Sequence, residues 1–309
     1  MEQIISVLRV VVPIFTAITL GIIAKKKRLL TPEGIQGLQN FVMNFGLPCV
    51  IFNSCFTANV GAESLGTMAL LLPFMIGTTL WAFKARKGKF PYHNFPQLFC
   101  AQETGMLGIP LFIILFGSAH AYRMGILDLT QAVTAFPTIA ILSANTGENP
   151  SPKAIAKKVL TSPLMIMSIL GLTLNVTGVG RFLDGIGVAG IITETTAFLS
   201  QPISALMIFS VGYNFSMRSG NRKDILKISA IHFILFVVIG LIVQLGLFLI
   251  PNVDTLTRWS VLLFSTLPAS YLAPSLGKSE TDFQVASGVC SLLTVASLLI
   301  FCVMAAFAA

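Results

Sequence analysis

The chain has 309 residues, 55% of them hydrophobic and only 10% charged, with a mean hydropathy of +0.85 and a formal net charge of +8. A soluble domain carries about 25% charged residues, so this composition excludes a water-soluble globule and points to a chain that crosses a membrane repeatedly. The basic excess lies in short loops rather than in one basic surface with aromatics, which argues against a nucleic-acid partner.

A window of about 19 residues picks out ten spans, near 4–24, 35–56, 66–83, 95–116, 121–144, 159–177, 187–215, 225–250, 257–276 and 283–307. The first opens MEQIISVLRVVVPIF, with no basic leader and no small-residue cleavage site, and reads as a retained helix. Span two carries FGLPCVIF around Pro48, flanked by Asn44 and Asn53. Span four carries QETGMLGIPLF, a carboxylate, two glycines and a proline inside an apolar run. The polar linker TGENPSPKAIAKK, residues 146–158, separates spans five and six. Span seven holds Gln201 beside Pro202, and span nine reads STLPASYLAPSLG around Pro268. Cys49, Cys55, Cys100, Cys290 and Cys302 all lie in apolar runs and read as packing residues rather than disulfides or metal ligands. The three histidines do not cluster, and HExxH, GxSxG and Walker loops do not occur. The sequence therefore points to no enzyme, metal or cofactor.

Sixteen of the 20 Lys and Arg fall in the loops after the odd-numbered spans, including Lys25, Lys84, Lys153, Lys158, Arg218 and Arg222. The positive-inside rule then places those loops in the cytoplasm and both termini outside. Trp81 and Trp259 fall at span ends, where interfacial anchors belong.

Ten spans divide into two fives, and an odd number per repeat inverts the second copy. Three proline pairs follow this order: Pro13 with Pro163, Pro48 with Pro202, and Pro110 with Pro268. Proline removes a backbone donor and clashes with the preceding turn. Spans four and nine are therefore expected to break near Pro110 and Pro268 and to cross at mid-membrane. Freed backbone groups are tolerated in a bilayer only where they are buried in protein or line a wet cavity. Broken helices at matching places in inverted halves point to a transporter's binding site.

Candidate binding residues around the breaks are Gln102, Glu103, Thr104, Gly105, Pro110, Ser265, Thr266, Pro268, Ser270 and Tyr271, with Asn44, Asn53 and Gln201 completing a cavity from the other side. An acid near the midplane costs at least about 2.5 kcal/mol on insertion scales and usually serves function. Glu103 and Asp128 are thus candidates for proton coupling, with Arg123 as a possible partner of Asp128. Glu194 reads as solvated near the outer interface.

The segments ETGMLGIPLF, FGLPCVIF and LPASYLAPSLGKSE, with ASGVCSLLTVASLL after them, resemble the auxin efflux carrier family, whose bacterial members include malonate and malate permeases. The resemblance covers most of the chain. It implies an all-α membrane protein of ten helices in two inverted repeats, residues 1–145 and 159–309, with broken helices four and nine crossing. It also implies a scaffold of helices one, two, six and seven, often pairing as a homodimer, and a mobile domain of the rest. The implied function is secondary transport of a small organic anion, a carboxylate or auxin-like acid, across the plasma membrane by an elevator movement. Many members place Asn where this chain has Glu103, which favours proton coupling over simple uniport. The alternatives are a sodium-coupled carrier and a non-transporting sensor or structural bundle.

Overall fold

The computed structural model describes residues 2–57, 62–144, 157, 161–215 and 221–308. Linker residues 146–156 and 158, with Lys153 and Lys158, and loop residue Arg218 lie outside these. The described residues are helical throughout apart from turns and one isolated antiparallel bridge.

Helix α1, Glu2–Lys26, leads to α2, Pro32–Phe41, which starts where Thr31 Oγ1 accepts the Gly34 N–H at 3.1 Å and Pro32 occupies the first turn. A π-helical turn, Val42–Gly46, joins α2 directly to α3, Leu47–Thr57. Span two therefore does not break at Pro48. The Leu47 N–H reaches back five residues to Val42 O, and the widened turn makes room for the proline ring. Helix α4 is Ala62–Arg86 and α5 is the single turn Gln97–Cys100. After a gap comes a second π turn, Thr104–Gly108, then α6, Ile109–Phe116, and α7, Tyr122–Ala144.

The second half runs α8, Pro163–Val176; α9, Val179–Gly185; α10, Val188–Ser200; and α11, Ile203–Asn214. Gly178 and Gly187, at φ +77° and +76°, turn the chain at the two ends of α9, a conformation that disfavours a Cβ. Then follow α12, Arg222–Gly246; α13, Thr255–Thr266; and α14, Glu280–Ala308. Segments Glu63–Arg86, Val188–Asn214, Arg222–Leu249 and Glu280–Ala308 are each long and apolar enough to cross a bilayer. The chain is a multi-pass membrane protein.

Helix α1 packs on α11, and α3 on α8 and α10. The first contact is closest at Gly21 and Gly212. A Cβ on Gly21 would lie 2.1 Å from Phe209 O, and one on Gly212 2.1 Å from Ile18 O. In the second contact, a Cβ on Gly171 of α8 would lie 2.7 Å from Phe52 O. Helix α4 packs on α5, α7 and α12, while α12 packs on α13 and α14. One large apolar cluster, with Leu47, Phe99, Leu107, Phe112, Met207, Phe236 and Phe264 fully buried, runs through these contacts and surrounds the interruptions in spans four and nine.

Candidate functional site

Span four is interrupted at Ala101–Glu103, where Ala101 is extended at φ −156°, ψ 144°. The break thus precedes Pro110 by seven residues. Pro110 lies in the first turn of α6, which continues directly from the π turn Thr104–Gly108, and the Ile109 N–H reaches back five residues to Thr104 O as Leu47 does before Pro48. Span nine is interrupted where expected, with Leu267 extended and α13 ending at Thr266, just before Pro268.

The two interruptions meet. They run antiparallel with Gln102 opposite Ala269. The Glu103 N–H donates to Pro268 O at 2.8 Å, and the Ser270 N–H to Ala101 O at 3.1 Å. Side chains satisfy the rest of the span-four break. Gln131 of α7 accepts from the Gln102 N–H at 2.7 Å and donates to Gln102 O at 2.9 Å, Thr104 Oγ1 at 2.8 Å and Asp128 Oδ1 at 2.9 Å. Thr134 donates to Cys100 O at 2.8 Å and Thr78 of α4 to Phe99 O at 3.0 Å. An open backbone group in hydrocarbon costs several kcal/mol, so this ring of donors is what lets span four open inside the protein.

Glu103 closes the start of the next helical segment. Its Oε1 accepts the Met106 N–H at 3.2 Å and its Oε2 the Tyr271 N–H at 2.6 Å. The half-helix terminus that could attract an anion is therefore capped by the chain's own carboxylate. The same carboxylate ties one break to the other.

The span-nine break differs. It faces a cavity of about 210 Å³ between the end of α11 at Asn214, the break residues Tyr271 and Pro274, and Ser287, Cys290 and Thr294 of α14. The Tyr271 hydroxyl shares a hydrogen bond of 2.8 Å with Thr294 Oγ1, and Ser297 donates to Thr266 O. A larger cavity, about 390 Å³, lies among Phe56, Asn175, Asp184 and Thr193. None of its lining residues belongs to either break.

Of the residues singled out in the sequence, Gln102, Glu103, Thr104, Pro268, Ser270 and Tyr271 come together at the crossing. Gly105 sits beside Met43 in the following π turn. Ser265 and Thr266 bond back to their own helix at Leu262 O and Leu263 O. Asn44 is exposed and donates to Asn40 O, Gln201 is exposed between α10 and α11, and Asn53 lies half-buried on α3. Asp128 is half-buried and joins the crossing through Gln131. Arg123 does not pair with it. Arg123 bonds instead to Asp254, which caps α13, and to Thr257 at 3.3 Å. Glu194 is exposed, as read. The sequence reading missed Gln131, Thr134 and Thr78. Gln131 carried a signal, since it stands three residues after Asp128 and so shares its helix face.

Helix α3 is joined to the start of α7 by side-chain bonds. Ser54 of α3 accepts the Tyr122 N–H at 2.7 Å and donates to Ala119 O at 3.0 Å, while Ile51 fills the space above Gly125.

Residues 6–153 match the model of a family described as membrane transport protein. An uncharacterized transporter of Methanothermobacter thermautotrophicus is 22% identical over 297 residues, covering 93% of this chain and 94% of that relative.

Proposed function

We propose that this chain, whose residues 6–153 match a membrane transport protein family, is a member of that family and a secondary transporter that carries a small organic anion by alternating access. The observation that carries this reading is the crossing of two open helices beside a polar cavity. The membrane tolerates such open backbone only where it is buried or lines a cavity.

The packing supports two inverted five-helix repeats. Exchanging spans one to five with six to ten turns the α1·α11 contact into α8·α3, and both exist. It turns α4·α7 into α12·α14, and α4·α5 into α12·α13, which also exist. Gly21 stands eight residues after Pro13 and Gly171 eight after Pro163, and each is the close-approach glycine of its pair. Spans one, two, six and seven then form a scaffold, through which two copies would pair, and the remaining spans form the moving body. The lysine and arginine count supports termini outside the cell membrane. In that orientation the cavity opens toward the cytoplasm, because Asn214 precedes the Arg222–Lys223 loop and Pro274 precedes Lys278.

The cavity offers amide and hydroxyl donors from Asn214 and Ser287 and, among the described residues, has no basic lining residue. That suits a carboxylate held by neutral donors, with Phe215 and Phe283 against its apolar body. Of the two acids, Asp128 is the better coupling group, because both oxygens of Glu103 already hold backbone N–H groups. The test is a panel of mono- and dicarboxylates and indole acids, followed by thermal unfolding across pH and by uptake into proteoliposomes with an imposed pH gradient. A ligand at 100 times its Kd adds about 2.7 kcal/mol to the folded state. A panel that gives neither stabilisation nor uptake overturns the reading.

A further inference from the structure

His232 of α12 lies in the membrane interior, 1% exposed, next to the crossing but outside every role given above. Its ring packs between Phe99 of α5, at a centroid distance of 5.4 Å, and Phe236, at 4.6 Å. A phenylalanine would fill that space without bringing polar nitrogens into it. Two buried nitrogens are costly in such surroundings unless they are used.

One of them is used. The side-chain amide of Gln102 faces three acceptors: Leu267 O at 3.1 Å, Pro268 O at 3.0 Å and His232 Nε2 at 3.2 Å. Only with its nitrogen on that side does the amide avoid setting oxygen against two carbonyls. Nε2 must then carry the lone pair and Nδ1 the proton. The Nδ1 position makes no hydrogen bond within the protein. The imidazole is thus held by its contact with Gln102, not by a bond on its far side.

We propose that His232 is a positioning residue of the crossing: its Nε2 lone pair fixes the Gln102 amide, and the fixed amide ties the span-four break to the carbonyls of the span-nine break. Gln102 supplies backbone pairing on one side and this amide link on the other. An imidazole carrying a proton on Nε2 would present a donor to the amide nitrogen. The amide would have to turn, setting its oxygen toward Nε2 and against the two carbonyls. The acceptor on His232 therefore acts together with the two carbonyls, and all three hold the amide in one geometry at the point where the breaks meet. The mechanical meaning of this link rests on the transporter reading, but its existence does not.

The test uses the full-length protein in lipid nanodiscs, with no transported solute. His232→Phe keeps the ring contacts and removes the acceptor, and His232→Gln restores an acceptor near the Nε2 position. Hydrogen–deuterium exchange is followed at the Glu103 and Ser270 amides. The expected result is about tenfold faster exchange at both in His232→Phe, with most of the protection recovered in His232→Gln. Nitrogen-15 NMR of the wild-type ring should show the proton on Nδ1. Wild-type exchange in His232→Phe, equal loss in both variants, or a proton on Nε2 would each overturn the proposal. Failure of the solute panel with the expected exchange pattern would sink the transport reading and leave this one standing.

Discussion

The two breaks are built from similar sequence, proline and small residues in an apolar span, yet they are solved in opposite ways. At Ala101–Glu103 the freed backbone groups and the ends of the adjoining helices are met from within, by Gln131, Thr134, Thr78 and Glu103. At Leu267–Pro274 the chain relies on the first break for its pairing and exposes Tyr271 and Pro274 to a cavity. The contrast teaches that interruption of a helix is not itself a site. The first break is closed by side chains of the protein, and the second borders a cavity.

The most damaging change to this contrast should be Glu103→Ala. It leaves the partly buried Met106 and Tyr271 N–H groups without their carboxylate acceptor, and an unsatisfied buried group costs about 1–3 kcal/mol. A stability loss of roughly 2–5 kcal/mol is expected, with Glu103→Gln losing less because it keeps one acceptor oxygen. Chemical unfolding in detergent measures it. A loss in Glu103→Ala no larger than that of an exposed surface substitution would show that Glu103 is not the cap.

Gln131→Leu should come next, at about 1–3 kcal/mol, because the Gln102 amide and carbonyl lose their partner together. The same change should leave the cavity-side break untouched, so alkylation of a cysteine placed at Ser287 should keep its wild-type rate. A large change in that rate would mean the two breaks are not separate.

Filling the open side should do the reverse. Ser287→Phe is expected to cost less than about 1.5 kcal/mol, since the space beside it is empty. It should also lower the affinity of any solute found by the panel by tenfold or more. Undiminished binding in that variant would remove the cavity from the pathway.

The smallest effect concerns the Arg123–Asp254 pair at the start of α13. Burial pushes the Asp254 carboxyl up, but the bonds from Arg123 and Thr257 outweigh it and hold the carboxyl below its ordinary value. A depressed carboxyl contributes stability that is present above its unfolded value, about 3.9, and is lost as pH falls through the lower folded value. Asp254→Asn should therefore flatten the acid side of the stability profile, below about pH 5. The amplitude should stay under about 1 kcal/mol, since the side chain is 38% exposed and screened by solvent. An acid limb identical to wild type would remove the pair from the account.

Much of this was legible in the chain. Hydropathy found apolar helices because a bilayer demands long apolar segments, and among the described residues four of the expected spans are long and apolar enough to cross one. The oddity of QETGMLGIPLF marked span four correctly, since Glu103 and the small residues are unsuited to a plain helix in lipid. The exact break was not legible. Pro48 and Pro110 looked like breakers, but each is accommodated by a π turn in which the following N–H reaches back five residues. Where a span opens depends on which neighbours can satisfy the polar groups at the break. Those neighbours, Gln131 and Pro268 O, lie 29 and 166 positions from Gln102 in the sequence. Sequence by itself determined a multi-span membrane chain with two weakened helices and an acid beside one of them. Only the tertiary structure decided that the acid is a cap, that Arg123 belongs to Asp254, and that one break is sealed while the other faces a cavity. Hydrogen-bond partners in a bilayer come from whichever helix is adjacent, and adjacency is set by packing across the whole fold.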